Sequence, residues 1–140
     1  MLDYKIVEKK NPRDLDAPAK YYAVPATKGL MTTEKVCKEA TVNTTLSVGE
    51  MMDCFRTLSE RVPEMLLNGN SVRLGDLGTL RLSFGSEGAA TEKAFNANMI
   101  RDVKIIFQTS QAIADKIRRE ARFKRVATPT AGSSEPGDGI

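Results

Sequence analysis

The chain has 140 residues, of which 41% are hydrophobic and 28% charged, and its formal net charge is +3. This length suits one domain with one core, and no apolar run approaches the roughly 18 residues that a membrane-spanning helix requires. Charges within the first ten residues leave no apolar segment of the kind that a secretory signal needs. We therefore expect a cytoplasmic protein with one core and no membrane partner.

The sequence contains few of the residues and motifs that enzymes use for catalysis. It contains no histidine, which excludes histidine-based triads, proton shuttles and metal centres. Cys37 and Cys54 form no C-x-x-C pair and fall on predicted helices, where we expect two buried, reduced thiols. Gly75 and Gly78 bracket a strand turn and do not form the glycine-rich loop that binds nucleotide phosphates. The sequence thus predicts no enzyme, no cofactor, no metal site and no small-molecule substrate.

Residues 1–29 form an N-terminal extension with two strand-like segments. These segments are Tyr4–Val7 and Tyr21–Val24, and the charged loop between them contains Pro12 and Pro18. Because an isolated strand leaves its backbone groups unpaired, we expect at least one segment to pair with the sheet that follows.

Two helices are predicted next. Thr32 or Thr33 caps a short first helix, and Ser47 with Glu50 forms the S-x-x-E capping box of a longer second helix. Pro63 predicts a kink within residues 59–62 without ending the helix. An apolar stripe follows the second helix through Val48, Met51, Met52, Phe55, Leu58, Val62, Met65 and Leu66. It is longer than one small sheet and a short helix can cover, so we expect a second copy of the chain to complete its burial.

Two helices with a short connection also occur in helix-turn-helix proteins, whose second helix reads bases in the major groove. The outer face of the second helix here is mainly acidic. It carries Glu50, Asp53, Glu60 and Glu64 against Arg56 and Arg61. This charge pattern disfavours base reading by that helix.

The stretch from Asn68 to Leu82 marks the passage from helix to sheet. Asn68 and Gly69 are typical of a helix C-terminus, and the alternation on both sides of residues 76–78 predicts a two-faced hairpin. The same alternation resumes at residues 103–108 as a third strand. One face of this sheet is apolar, with Val72, Leu74, Leu80, Leu82, Val103 and Ile105, and the other carries Arg73, Arg81 and Lys104.

Residues 85–102 connect the second and third of these strands. Thr109 or Ser110 begins a third helix, and Phe123–Val126 is a candidate for a final short strand. Residues 127–140 are rich in glycine, proline and serine, which predicts a disordered tail.

Positive charge concentrates at the end of the third helix. The residues are Lys116, Arg118, Arg119, Arg122, Lys124 and Arg125, opposed within that segment only by Glu120. From the residues alone, this C-terminal basic segment is either a nucleic-acid contact or a solvated helix end, where cations are favoured. The basic side of the sheet has a similar alternative, because antiparallel sheets commonly have one wet face.

The order of elements and the stretch GNSVRLGDLGTLRL resemble the HU and integration host factor family of bacterial histone-like DNA-binding proteins. The stretch VKIIFQTSQAIADKI supports the resemblance, which runs from about residue 32 to about residue 119. It implies an α+β fold within residues 30–126: two N-terminal helices, an antiparallel sheet with a short arm, and a C-terminal helix. It also implies an intertwined homodimer that binds double-stranded DNA, with β-ribbon arms that insert a proline in the minor groove.

The sequence departs from the family at the arm. Residues 85–102 contain no proline, and their charges are Lys93 and Arg101 against Glu87, Glu92 and Asp102. Strong kinking of DNA is therefore not expected.

Two functional hypotheses follow. The first is a nucleoid-associated, largely sequence-nonspecific DNA-binding homodimer. The second is an HU-like dimer that serves as a scaffold for protein partners, with weak or no DNA binding. The candidate DNA-binding residues are Arg73, Arg81, Lys93, Arg101, Lys104, Lys116, Arg118, Arg119, Arg122, Lys124 and Arg125.

Overall fold

The computed structural model describes residues 1–127, which divide into two compact units. One unit consists of Met1–Leu30 with the chain from Glu120 onward, and the other is Met31–Arg119. The sequence predicted one core, and the structure instead forms two units. Apart from Ala127, the predicted disordered tail lies outside the described residues.

In chain order the elements are two strands, two helices, three strands, a helix and a last strand. They are β1 Leu2–Lys9, β2 Lys20–Pro25, α1 Thr33–Ala40, α2 Val48–Leu67, β3 Val72–Leu74, β4 Gly78–Ser86, β5 Ile100–Thr109, α3 Gln111–Glu120 and β6 Phe123–Arg125. The fold is therefore α+β, as predicted. Within the described part of the chain, no helix is long and apolar enough to cross a membrane.

The N-terminal strands form a sheet of their own with the last strand. The order is β2-β1-β6, with β1 antiparallel to β2 and parallel to β6. The expectation that an N-terminal strand pairs with the sheet of residues 72–109 is wrong. The backbone groups of β1 pair instead with β2 on one side and, at Leu2–Tyr4, with β6 on the other. Bonds to the C-terminal segment include those from Leu2 N to Arg122 O (2.7 Å) and from Val126 N to Tyr4 O (2.9 Å).

Hydrogen-bonded caps terminate both ends of α2, through side chains at the N-terminus and through the backbone at the C-terminus. Ser47 Oγ accepts from Glu50 N at 3.1 Å and Glu50 Oε2 accepts from Ser47 N at 2.8 Å, which confirms the predicted capping box. The helix continues through Pro63 to Leu67, as predicted. It ends in a Schellman arrangement, in which Gly69 N donates to Leu66 O (3.0 Å) and Asn70 N to Met65 O (3.3 Å).

The core between α1 and α2 is small. Among the described hydrophobic residues, only Cys37, Val62 and Leu66 are buried. Cys54 is exposed, so the expectation of two buried thiols is wrong for this residue. At about 100° per residue, Cys54 lies roughly 80–120° around α2 from the line of Val62 and Leu66.

The second sheet has the order β3-β4-β5, with all pairs antiparallel. Gly75, in the turn between β3 and β4, and Gly78, the first residue of β4, have φ angles of 53° and 155°. A Cβ atom on Gly78 would lie 2.3 Å from Gln108 O, so no side chain fits at this position, where β4 pairs with β5.

Ser110 connects the start of α3 to this turn. Its Oγ accepts from Ile113 N at 3.4 Å, which identifies it as the helix cap, and the same hydroxyl donates to Asp76 O. Its backbone N donates to Leu77 O at 3.2 Å. The orientation of α3 at its N-terminus is therefore tied to the β3–β4 turn.

Candidate nucleic-acid interface

Three cations lie on one face of the second sheet, which we call the cationic face. The register pairs Arg73 with Thr79, Arg81 with Ile106 and Ser83 with Lys104. Because paired residues share a face, Arg73, Arg81 and Lys104 point to the same side, as predicted. They form a diagonal across β3, β4 and β5, in which successive Cα atoms are about 7–8 Å apart.

The cationic face is exposed and lacks neutralising partners. All three side chains are exposed, and within residues 1–127 none of them forms a salt bridge. Arg73 Nε donates to Gly75 O at 3.4 Å, which leaves its terminal nitrogens available. The face also contains Ile106, a half-buried apolar residue that the sequence analysis did not assign.

A small polar pocket of about 230 Å³ opens at the Arg73 end of this face. It is lined by Arg73, Thr79, Gln108, Ser110 and Gln111, among others. Hydroxyl and amide donors therefore lie beside a cation, which is the combination that contacts phosphate oxygens in protein–DNA interfaces.

A β-bulge on β5 adds a fourth cation to the face. Ser83 pairs with Lys104 and Gly85 with Arg101, so Asp102 and Val103 together oppose Phe84 alone. Asp102 has a φ of 57°, the left-handed conformation of the extra residue in one type of bulge. Strict alternation would place Arg101 opposite to Lys104, and the bulge returns it to the same face. No periodic signal in the sequence marks this change of register.

The connection after β4 is a short loop and not a long β-ribbon. Residues 87–99 are closed by a hydrogen bond from Glu87 N to Met99 O at 2.9 Å, and the loop contains two 3₁₀ turns. Glu87 forms an ion pair with Arg101 across the base of the loop. Lys93 lies exposed in the first 3₁₀ turn, away from the sheet registers that carry the other cations. One of the acids predicted for this arm, Glu87, therefore neutralises the charge of Arg101.

The C-terminal basic segment is divided among several elements. Lys116, Arg118 and Arg119 lie on α3, where Arg118 pairs with Asp115 at 3.8 Å. Arg122 follows the helix, and its guanidinium donates to Ala121 O at 2.9 Å. Lys124 and Arg125 are successive residues of β6 and therefore point to opposite faces of the N-terminal sheet. Each cation is exposed, but the segment is not one patch on one element.

The other face of the second sheet is apolar and open to solvent, and we call it the apolar face. Leu80 pairs with Phe107 and Leu82 with Ile105 on this side. The exposed fractions are 61% for Phe84, 65% for Val103, 64% for Ile105 and 49% for Phe107. Half of the α2 stripe is exposed as well, namely Met52, Phe55, Leu58 and Met65.

This arrangement of two helices, a three-stranded antiparallel sheet and a closing helix defines an HU-like fold. A similar structure is that of a protein from Bacteroides vulgatus ATCC 8482 provisionally described as a bacterial DNA-binding protein, with a TM-score of 0.61 and 20% sequence identity. The match covers 92% of the present chain and 50% of that protein, so the present chain spans about half of its length. No curated protein sequence matches this chain.

Residues 1–125 match the model of the HU-HIG family, described as an HU domain fused to a winged helix-turn-helix, an immunoglobulin-like domain or a glycine-rich motif. The chain belongs to this family. The match includes the N-terminal strands and β6, and therefore extends beyond the residues that resemble HU itself.

Proposed function

We propose that this protein is a non-enzymatic, nucleoid-associated homodimer that binds double-stranded DNA largely without sequence preference. The observation that carries the proposal is the diagonal of Arg73, Arg81 and Lys104 on the cationic face, exposed and without salt bridges in the described chain. Membership in a family built on an HU domain supports DNA as the ligand.

The charge on the cationic face is sufficient for moderate, nonspecific affinity. Three cations per copy give six in a dimer, and six phosphate contacts predict a log–log salt slope of about −5. Contacts from these cations to phosphates would carry no sequence information, which fits largely nonspecific binding. The C-terminal basic segment adds further exposed cations to this total.

The apolar face supports the homodimer. A soluble protein does not usually leave a contiguous apolar sheet face and an apolar helix stripe in water. A second copy would cover both with the same residues, as a two-fold interface requires. The two faces of one sheet would then have separate tasks, with dimerisation on one side and DNA on the other.

The test is DNA affinity across a salt series for the native protein and for a variant carrying Arg73→Gln and Arg81→Gln. Loss of two phosphate contacts per copy is expected to make the salt slope of a dimer less steep by about 3.6. The matched control carries Arg56→Gln and Arg61→Gln on α2, where each arginine already pairs with an acid, Asp53 or Glu64. The control removes the same charge and should leave the slope nearly unchanged.

Two results would overturn the proposal. One is a native dissociation constant weaker than roughly 0.1 mM at about 50 mM salt, which is weaker than ordinary nonspecific binding. The other is an equal change of slope in the test and control variants, because the effect would then come from net charge and not from the cationic face.

A second candidate function is a dimeric scaffold for protein partners. The short loop of residues 87–99 favours it, because Glu87 neutralises Arg101 where a DNA-clasping arm would need free cations. The outer strands β2 and β6 of the N-terminal sheet provide edges to which a partner strand could pair. The same salt series distinguishes the two functions, since a scaffold shows no salt-dependent DNA affinity.

A further inference from the structure

A second cationic surface lies on the N-terminal sheet and, apart from Lys124, consists of residues outside the candidate DNA-binding set. The register pairs Lys9 with Lys20 and Lys5 with Val24, while Lys124 of β6 pairs with Asp3. These four lysines point to the same side of the sheet, which we call the lysine face. The ammonium group of Lys9 lies 5.9 Å from the centre of the Tyr22 ring, a diagonal neighbour on that side.

The two faces of the sheet differ, although neither is uniform: the lysine face also carries Val7, Tyr22 and Val24, and the opposite face carries Glu8 and Arg125. Leu2, Tyr4, Pro25 and Phe123 lie on the opposite face, which borders an apolar groove of about 900 Å³. The one acid on the lysine face is Asp3, and Lys28 already lies 3.9 Å from its carboxylate. Within residues 1–127, none of the four lysines forms a salt bridge.

Folding alone does not account for this charge placement. Lys9 and Lys20 lie directly across from each other on neighbouring strands, and like charges in that position destabilise a sheet. Lysines on edge strands can be explained as protection against unwanted strand pairing. That explanation fits Lys20 and Lys124 on the edge strands, and it also fits Lys5 and Lys9, because β6 pairs only with Leu2–Tyr4 and leaves the rest of β1 with a free edge. It does not explain why Lys9 and Lys20 lie directly opposite each other.

We propose that the lysine face is a second contact surface for the phosphate backbone of double-stranded DNA. The proposal rests on the DNA-binding function proposed above and assigns part of it to the N-terminal sheet. From Asp3 to Lys9 the face runs about 20 Å along β1, at about 3.3 Å per residue, which is comparable with the axial length of about six base pairs of DNA at about 3.4 Å each. A DNA phosphate bound between Lys9 and Lys20 would offset the electrostatic repulsion between their two ammonium groups.

The test compares two double variants of the full chain on one duplex DNA. The first carries Lys9→Gln and Lys20→Gln. The control carries Lys10→Gln and Arg13→Gln, which remove two exposed cations from the loop just after β1.

Removing two phosphate contacts is expected to make the salt slope less steep by about 1.8 for each copy that meets DNA. Between 50 and 200 mM salt, the native affinity should therefore fall about 12-fold more than that of the first variant if one copy of the dimer meets DNA through this face. The control should follow the native curve.

Thermal unfolding of the same variants separates lost contacts from lost structure. The melting temperature of the Lys9→Gln, Lys20→Gln variant should equal or exceed that of the native protein, because the facing ammonium groups are gone. A lower affinity together with an unchanged or higher melting temperature supports the proposal.

The outcomes keep this inference separate from the proposed function. If the native protein does not bind DNA, the proposed function fails and the inference fails with it. If the native protein binds, the Arg73→Gln, Arg81→Gln variant weakens binding and the Lys9→Gln, Lys20→Gln variant does not, only the inference is overturned. A lysine face that binds an acidic protein segment instead would give that second result.

Discussion

At the scale of single residues, the β-bulge decides which cations reach a common surface. Asp102 takes a left-handed conformation, with a φ of 57°, and the extra residue restores Arg101 to the side of Lys104. Glu87 then pairs with Arg101 and offsets the gain in positive charge. The effective charge of the cationic face therefore depends on one exposed ion pair, which contributes about 0–1 kcal/mol to folding.

Glu87→Gln is expected to strengthen DNA binding, because Arg101 becomes free to meet a phosphate. The salt slope should become steeper by up to about 0.9 per copy. Glu92→Gln is the control, since Glu92 lies in the same loop and forms no salt bridge within residues 1–127. Binding measurements on both variants check this, and an identical gain from both would mean that the ion pair has no role.

At the scale of elements, hydrogen-bonded caps set the limits of the helices. The Ser47–Glu50 box begins α2, and Ser110 both caps α3 and bonds to the hairpin turn. Ser59 is a different case, because its hydroxyl donates to Phe55 O at 2.9 Å within the helix and satisfies no free terminal group. We therefore expect Ser47 and Ser59, at the start and in the interior of α2, to contribute differently to stability.

Ser47→Ala is expected to lower the free energy of unfolding by about 1 kcal/mol, because the amide of Glu50 loses its acceptor at the helix start. Ser59→Ala should change it by less than about 0.5 kcal/mol. Urea unfolding of both variants, at one protein concentration, measures the difference. Equal losses from the two changes would contradict the assignment of stability to the cap.

At the scale of the whole molecule, the buried core is too small for the apolar surface that the chain carries. Only three hydrophobic residues of the described chain are buried, whereas the apolar face and the α2 stripe are open. Full burial of one large apolar side chain contributes about 1.5–3 kcal/mol, so several half-exposed ones provide a substantial driving force for association. A second copy of the chain is the partner that we expect.

The native protein is therefore expected to have twice the chain mass of 15.3 kDa in light scattering. Ile105→Asp should reduce the mass to that of one chain, because a charge would enter the centre of the interface. Val42→Asp is the control, since Val42 is 74% exposed and lies in the connection between α1 and α2. A native mass of one chain, or a dimeric Ile105→Asp variant, would refute an interface on the apolar face.

Local patterns in the sequence were sufficient to predict most of the helices and strands of the unit Met31–Arg119. The capping box at Ser47, the stop at Asn68 and the alternation around Arg73 and Arg81 each depend on residues close together in the chain, and the structure confirms them. The partner of β1 could not be found in this way. β6 lies more than 110 residues away, and strand pairing over that distance leaves no periodic signal.

Neighbouring residues and short motifs are enough to predict the helix caps, the two-faced hairpin, the lack of a basic proline-containing arm and the resemblance to HU proteins. Three other features are visible only in the folded chain: the separate sheet of β1, β2 and β6, the opposition of Lys9 and Lys20, and the place of Arg101 on the cationic face. They differ because cross-strand register and a single bulge residue determine which side chains share a surface, and local periodicity encodes neither.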